Sequence, residues 1–209
     1  MLHDIVDVFL HLDRHLGAFG AEHGLWTYGL LFAIVFLETG IVVTPFLPGD
    51  SLLFACGALA AAGALHPVGL FVVLTTAAIL GDTANYSIGK AVGPHAFTGK
   101  IRFLKRKHLE RTHAFYEKHG GKAIFLARFV PIIRTFAPFV AGIGTMSYVR
   151  FLAYNVAGAV AWVGGCLLAG YAFGNIPAVK NNFSLVMLGI VVVSLLPLLV
   201  EYLRHRSAK

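Results

Sequence analysis

The segment RFVPIIRTFAP, residues 128–138, sets Arg128, Pro131, Arg134 and Pro138 inside an otherwise apolar stretch that runs from Ala123 to Tyr148. An arginine at the centre of a bilayer costs about 2.5–3.5 kcal/mol, and a proline removes a helix hydrogen bond. A second apolar stretch, from Leu25 to Leu65, is interrupted by Glu38, Gly40, Pro45, Pro48, Gly49 and Asp50. Guanidinium groups are planar, permanently charged donors that match the oxygens of a phosphate. Carboxylates in apolar surroundings can lose and regain protons. A carboxylate that pairs with arginine when the site is empty, and releases it when protonated, would couple proton entry to phosphate binding. Arg134, between the two prolines, is the expected main phosphate ligand. Arg128, in what reads as the more regular half-helix, would orient it or balance Glu38.

Composition says what surrounds these residues. The chain of 209 residues is 57% hydrophobic and 13% charged, where a soluble domain averages about 25% charged. Mean hydropathy is +0.76. This is a membrane protein of one domain. Cys56 and Cys166 both lie in apolar runs and read as small packing residues. No cluster of residues asks for a metal or a cofactor. In residues 1–24, Ile5, Val8, Phe9, Leu12 and Leu16 recur at helical spacing among acids, the pattern of an amphipathic surface helix rather than a signal peptide.

The charge distribution orients the chain. Lys100, Arg102, Lys105, Arg106, Lys107, Arg111, Lys118 and Lys122 crowd the segment 94–122, and Arg204, Arg206 and Lys209 close the sequence. The positive-inside rule places both segments in the cytoplasm. The net charge of +7 is therefore a topology signal and does not call for nucleic acid. Ile101, Leu104, Leu109, Phe115 and Tyr116 give the basic loop an apolar face toward the anionic inner leaflet.

Three runs are long enough to span: residues 68–92, 151–173 and 183–200. The two interrupted stretches are not simple spans. Irregular backbone at membrane depth survives only when buried in protein or lining a wet cavity, so both read as re-entrant segments. The first turns back at LHPV, residues 65–68, outside; the second returns near Arg150, inside. The expected fold is an all-α integral membrane protein with two inverted repeats, each a re-entrant broken helix followed by transmembrane spans, plus amphipathic interfacial helices. Its parts are the amphipathic segment 1–24, a first repeat over 25–93, a basic cytoplasmic loop over 94–122, a second repeat over 123–203 and a basic tail over 204–209. Tyr86 three before Gly89, and Tyr171 three before Gly174, echo each other across the repeats.

If the broken segments meet, Glu38 and Asp50 offset Arg128 and Arg134. Left alone, the four charges would cost roughly 10–14 kcal/mol. Pro45, Pro48, Gly49, Pro131 and Pro138 are the expected helix breaks. Asp82, Asn85 and Tyr86 on the following span either line the same cavity or make helix-packing hydrogen bonds. A pair of internal salt bridges that only hold the repeats together is the structural alternative.

The stretches FLETGIVVTPFLPGDSLLFACGALA, GDTANYSIGK, GGKAIFLARFVPIIRTFAPFVAGIGTMSYVRF and NVAGAVAWVGG resemble the DedA family, also called the SNARE-associated Golgi or VTT-domain family. The resemblance runs from about Leu25 to Gly174. Its most specific element is an arginine, a proline three later, an arginine three after that, then a proline and AG. It implies a bacterial inner-membrane protein needed for envelope integrity and for transport that depends on the proton motive force. Some relatives recycle undecaprenyl phosphate, others are linked to phospholipid translocation, and eukaryotic relatives are lipid scramblases. The family's essential acidic and arginine positions match Glu38, Asp50, Arg128 and Arg134. Many relatives read PGE where this chain reads PGD at Asp50, which shortens the acid by one methylene.

The expected function is therefore a flippase for a lipid phosphate, undecaprenyl phosphate or a phospholipid, driven by protons. A passive phospholipid scramblase shares the same architecture. A lipid-phosphate enzyme would need a nucleophile with a neighbouring base, and the interrupted segments contain no histidine; His66 sits at a surface turn, suited to local hydrogen bonding. A purely structural membrane protein is the remaining reading.

Overall fold

A computed structural model describes residues 24–40, 49–92, 117, 119–144 and 146–174, and residues 176, 177, 179, 182, 185, 186, 188 and 189 beyond them. The expected N-terminal amphipathic helix, the proline pair Pro45 and Pro48, most of the basic loop, most of the last span and the basic tail lie outside the described residues. Six helices lie wholly within the described residues: α1 (Leu25–Gly40), α2 (Gly49–Ala61), α3 (Pro67–Val92), α4 (Lys122–Ala127), α5 (Pro131–Ile143) and α6 (Tyr148–Phe173). All elements among the described residues are helical.

Local sequence explains most helix ends. α2 stops in a paired-bond cap: Gly63 takes the left-handed conformation (φ +79), its N–H reaches the Ala60 carbonyl, and the Ala64 N–H reaches that of Leu59. α3 opens on Pro67, where a missing N–H costs nothing, and His66 Nδ1 accepts the Gly69 N–H at 3.2 Å. The His66 N–H in turn donates to the Tyr28 hydroxyl at 2.8 Å, so His66 does the local bonding expected of it. Between α4 and α5, Val130 is extended (φ −122, ψ 103), the conformation favoured before a proline, and Pro131 starts the next helix.

Helix length separates two classes. α3 and α6, with 26 residues each, are about 39 Å long and exceed the roughly 30 Å hydrocarbon core. α2 and α5, with 13 residues each, reach only about 20 Å. The second interrupted stretch is thus a divided helix, α4 followed by α5, and the first carries α1 and α2. One expected break is wrong: Pro138 lies inside α5, which continues to Ile143. Pro138 cannot donate to the Arg134 carbonyl, and the next carbonyl, that of Thr135, accepts from the Asn85 side chain at 3.0 Å.

The helices form two units. One takes the described residues within 1–32, 48–74 and 163–209, the other those within 33–47 and 75–162. In the first unit α2 runs antiparallel to the end of α6. A Cβ on Gly57 would strike the Leu167 carbonyl, and one on Gly170 would strike that of Phe54. Phe54, Ala55 and Ala58 pack beside this approach. The same unit carries an apolar groove of about 270 Å³, lined among others by Ala60, Leu70, Phe71, Gly164, Leu167 and Tyr171.

In the second unit α5 runs antiparallel to the end of α3 in the same way. A Cβ on Gly142 would strike the Tyr86 carbonyl, and one on Gly89 would strike that of Phe139. The two contacts correspond residue for residue: Phe54 and Gly57 to Phe139 and Gly142, Leu167 and Gly170 to Tyr86 and Gly89. The sequence echo had aligned Gly89 with Gly174; the packing aligns it with Gly170, because backbone contact selects the register and tyrosine spacing does not. The apolar core of this unit joins Tyr86, Ile124, Ile133, Ala137, Met146 and Phe151.

Candidate functional site

The second unit contains a buried cluster of two acids and two arginines. α1 ends just beyond Glu38, α3 carries Asp82, Arg128 caps the short α4, and Arg134 lies in the first turns of α5. Arg134 Nη2 donates to Glu38 Oε1 at 2.8 Å. Arg128 Nη2 donates to Asp82 Oδ2 at 2.5 Å and to Asn155 Oδ1 at 2.6 Å, with the Ala78 carbonyl at 3.3 Å. Asn155 Nδ2 is itself fixed by the Ile79 carbonyl at 3.1 Å. Two neutral pairs result, the arrangement that makes buried charge tolerable.

The arginines differ in exposure and in placement. The Arg128 side chain is 2% exposed and that of Arg134 is 14% exposed. Arg128 Nε and Nη1 are buried and make no hydrogen bond among the described residues. The sequence had put Arg128 in the regular half-helix and Arg134 at the break. The reverse holds: Arg128 is the cap residue at the break, while the Arg134 N–H makes a regular helix bond to the Val130 carbonyl at 2.8 Å. Pre-proline geometry ends the helix before Pro131, not after it.

Glu38 pairs with Arg134 and not with Arg128. Arg128, expected against Glu38, has Asp82 as its carboxylate partner. Asp82 is thus an ion-pair partner and not only a lining residue. Asp50 belongs to the other unit, half-buried in the first turn of α2, where the helix dipole favours an anion. Gly49 is the first residue of the same helix.

Asn85 and Tyr86 have the packing role that was one of their two expected roles. Asn85 Nδ2 bridges the Thr39 carbonyl at 3.3 Å, in the last turn of α1, and the Thr135 carbonyl in α5. It thereby ties together the two helices that carry Glu38 and Arg134. The Tyr86 hydroxyl donates to the Met146 carbonyl at 2.7 Å, and its ring stacks on Phe151 with centroids 4.5 Å apart. Gly81 and Gly40 let α3 and α1 touch: a Cβ on Gly81 would strike Thr39 Oγ1.

Three residues of α6 escaped the sequence reading. Asn155 holds the head of Arg128, and Gly158 clears its stem, since a Cβ there would lie 3.0 Å from Arg128 Cδ. Trp162 lies under both guanidinium groups, 5.7 Å from Arg128 Cζ and 4.8 Å from Arg134 Cζ. Their spacing of three and four residues puts all three on one helix face, and that was the available signal.

The VTT domain family matches residues 47–172, more than half of the chain. Protein DedA of Escherichia coli is 53% identical over 211 aligned residues, covering 100% of this chain and 96% of that protein. An uncharacterised membrane protein of Mycobacterium tuberculosis is 47% identical, with 93% of this chain and 86% of that one covered. The inner membrane protein YghB of Salmonella typhimurium is 37% identical, with coverages of 77% and 74%. No solved structure matches the sequence.

Proposed function

Because the chain belongs to the DedA family of VTT-domain membrane proteins, we propose that it moves a lipid phosphate across the inner membrane, coupled to the proton motive force. The observation that carries this reading is the buried cluster, in which the more exposed Arg134 pairs with Glu38 while Arg128 is fixed by Asp82 and Asn155. A stability-only bundle gains little from buried ion pairs compared with apolar packing. An arginine that can trade a carboxylate for a phosphate oxygen gives the charges a use. Protonation of Glu38 would release Arg134 to the phosphate of an undecaprenyl phosphate or a phospholipid. Asp50, the other acid of an interrupted segment, is the second proposed proton site.

The membrane arrangement is part of the proposal. α3 and α6 span, while α1 with α2 and α4 with α5 are re-entrant, in two inverted repeats. The matching Phe–Gly approaches in the two units and the 13-residue lengths of α2 and α5 support it. The loop 94–122 and the C-terminus would lie in the cytoplasm. Single cysteines introduced in a background lacking Cys56 and Cys166 test this: an impermeant reagent added outside should modify a probe at Asn181 and spare one at Lys107. Equal modification of both would reject the inverted arrangement.

Reconstitution into vesicles with radiolabelled lipid phosphates, with and without an imposed pH gradient, tests the function. The expected result is leaflet exchange that the gradient accelerates and that Glu38→Gln or Asp50→Asn uncouples from it. Exchange indifferent to the gradient in the parent protein would make it a passive scramblase. Release of free phosphate would make it an enzyme, and neither movement nor release would leave a structural role.

A further inference from the structure

Carboxylate and phosphate compete for the same part of an arginine, the N–H donors in the guanidinium plane. A group that holds the arginine during the exchange must therefore grip it elsewhere. Aromatic rings do so through the face of the guanidinium, and the attraction reaches to about 6 Å from the ring centroid. Trp162 meets that requirement twice, at 4.8 Å from Arg134 and 5.7 Å from Arg128, with its own side chain in a residue only 3% exposed. One turn earlier, Gly158 leaves room for the Arg128 stem, and Asn155 takes its Nη2. One face of α6 is thus shaped to arginine along its length. Arg128 also keeps two buried nitrogens, Nε and Nη1, with no acceptor among the described residues.

We propose that Trp162 is the positioning residue of an anion site: it carries Arg134 and Arg128 by cation–π contact while their N–H groups take up the oxygens of a phosphate headgroup. This rests on the reading of Arg134 as a phosphate ligand. The ring keeps Arg134 in place as Glu38 leaves, so the guanidinium is already oriented when the phosphate arrives. It also opposes the mutual repulsion of the two cations without offering a competing acceptor.

The chain has two tryptophans, and Trp26 is an exposed residue of the other unit, so Trp26→Phe leaves Trp162 as the sole indole. In that full-length variant, tryptophan is replaced by mono-, di- and trifluorotryptophan, which withdraw density from the ring face and barely change its size. Binding of farnesyl phosphate and of inorganic phosphate is titrated in detergent, with thermal stability measured alongside. The expected result is a stepwise loss of phosphate affinity with each fluorine, on the order of tenfold across the series, with little change in stability. A stepwise loss confined to farnesyl phosphate identifies a lipid headgroup as the ligand. The same loss with both probes identifies free phosphate, and either result sustains the cation–π role. A flat series, in a protein whose phosphate binding is weakened by Arg134→Lys, overturns the role of Trp162 and leaves the functional reading standing. A flat series together with no effect of either Arg134→Lys or Arg128→Lys overturns both.

Discussion

The two units bring a 13-residue helix against the end of a 26-residue helix by the same device, a glycine on each helix with its α-carbon against a carbonyl of the other. What surrounds the device differs. In the first unit it is flanked by Phe54, Ala55 and Ala58 and by an apolar groove. In the second it lies beside Glu38, Asp82, Arg128 and Arg134. Apolar side chains and glycines suffice to hold such an approach in a membrane, where close backbone packing supplies the attraction. The ion pairs of the second unit are therefore not explained by packing alone, and they support the proposed transport role together with Asp50, the acid on α2 of the first unit.

The largest expected effect would expose that difference directly. Asp82→Ala leaves Arg128 buried without its carboxylate and should cost about 3–5 kcal/mol of stability. The double variant Asp82→Ala with Arg128→Met should recover much of it, since both members of the pair are gone. Thermal unfolding of the purified variants in detergent checks this. A double variant no more stable than the single would mean that the cluster is structural after all.

Next come the glycines. Gly57→Leu and Gly142→Leu each drive a side chain into backbone that cannot rotate away, so each should cost about 1–3 kcal/mol or more. Equal losses, read from unfolding midpoints, would show that the device carries the same weight in both units. A large loss at Gly142 and a small one at Gly57 would mean that the groove beside Gly57 absorbs the added atoms.

Arg134→Lys separates stability from function. Lysine keeps the charge near Glu38 but loses the planar fork that binds a phosphate through two donors. The variant should unfold within about 1 kcal/mol of the parent and yet bind farnesyl phosphate at least about tenfold more weakly. If Arg128→Lys weakens binding and Arg134→Lys does not, the roles of the two arginines are exchanged.

Charge compensation made it legible in the sequence that the buried acids and arginines pair, because four charges in apolar runs have to meet something. It did not say which acid meets which base. Asp82 and Asp50 are equally good partners on composition, and only the face that α3 turns toward α4 decides for Asp82. The division at Pro131 was legible because a proline biases the residue before it away from the helical conformation. The continuation of α5 through Pro138 was not, because a proline inside a helix removes one hydrogen bond, a cost that surrounding packing can carry. Trp162 went unnoticed for a different reason: an aromatic residue in an apolar span reads as lipid-facing or core, and only its neighbours on the same face, Asn155 and Gly158, mark that side of α6 as polar.

The smallest expected effect tests whether the units can be perturbed one at a time. His66 caps α3 in the first unit, accepting the Gly69 N–H through Nδ1 and giving its own N–H to Tyr28. His66→Ala removes the cap acceptor and should cost about 1 kcal/mol. His66→Asn restores an oxygen of suitable reach and should recover most of that loss. Neither change touches the ion pairs, so affinity for farnesyl phosphate should stay within about twofold of the parent, a difference of about 0.4 kcal/mol. The measurement pairs an unfolding midpoint with a binding titration on the same preparations. A His66→Ala variant that unfolds normally but binds phosphate poorly would place part of the ligand's path at the Tyr28–His66 contact. The proposed separation of this cap from the phosphate site would then fail at the point where it is easiest to test.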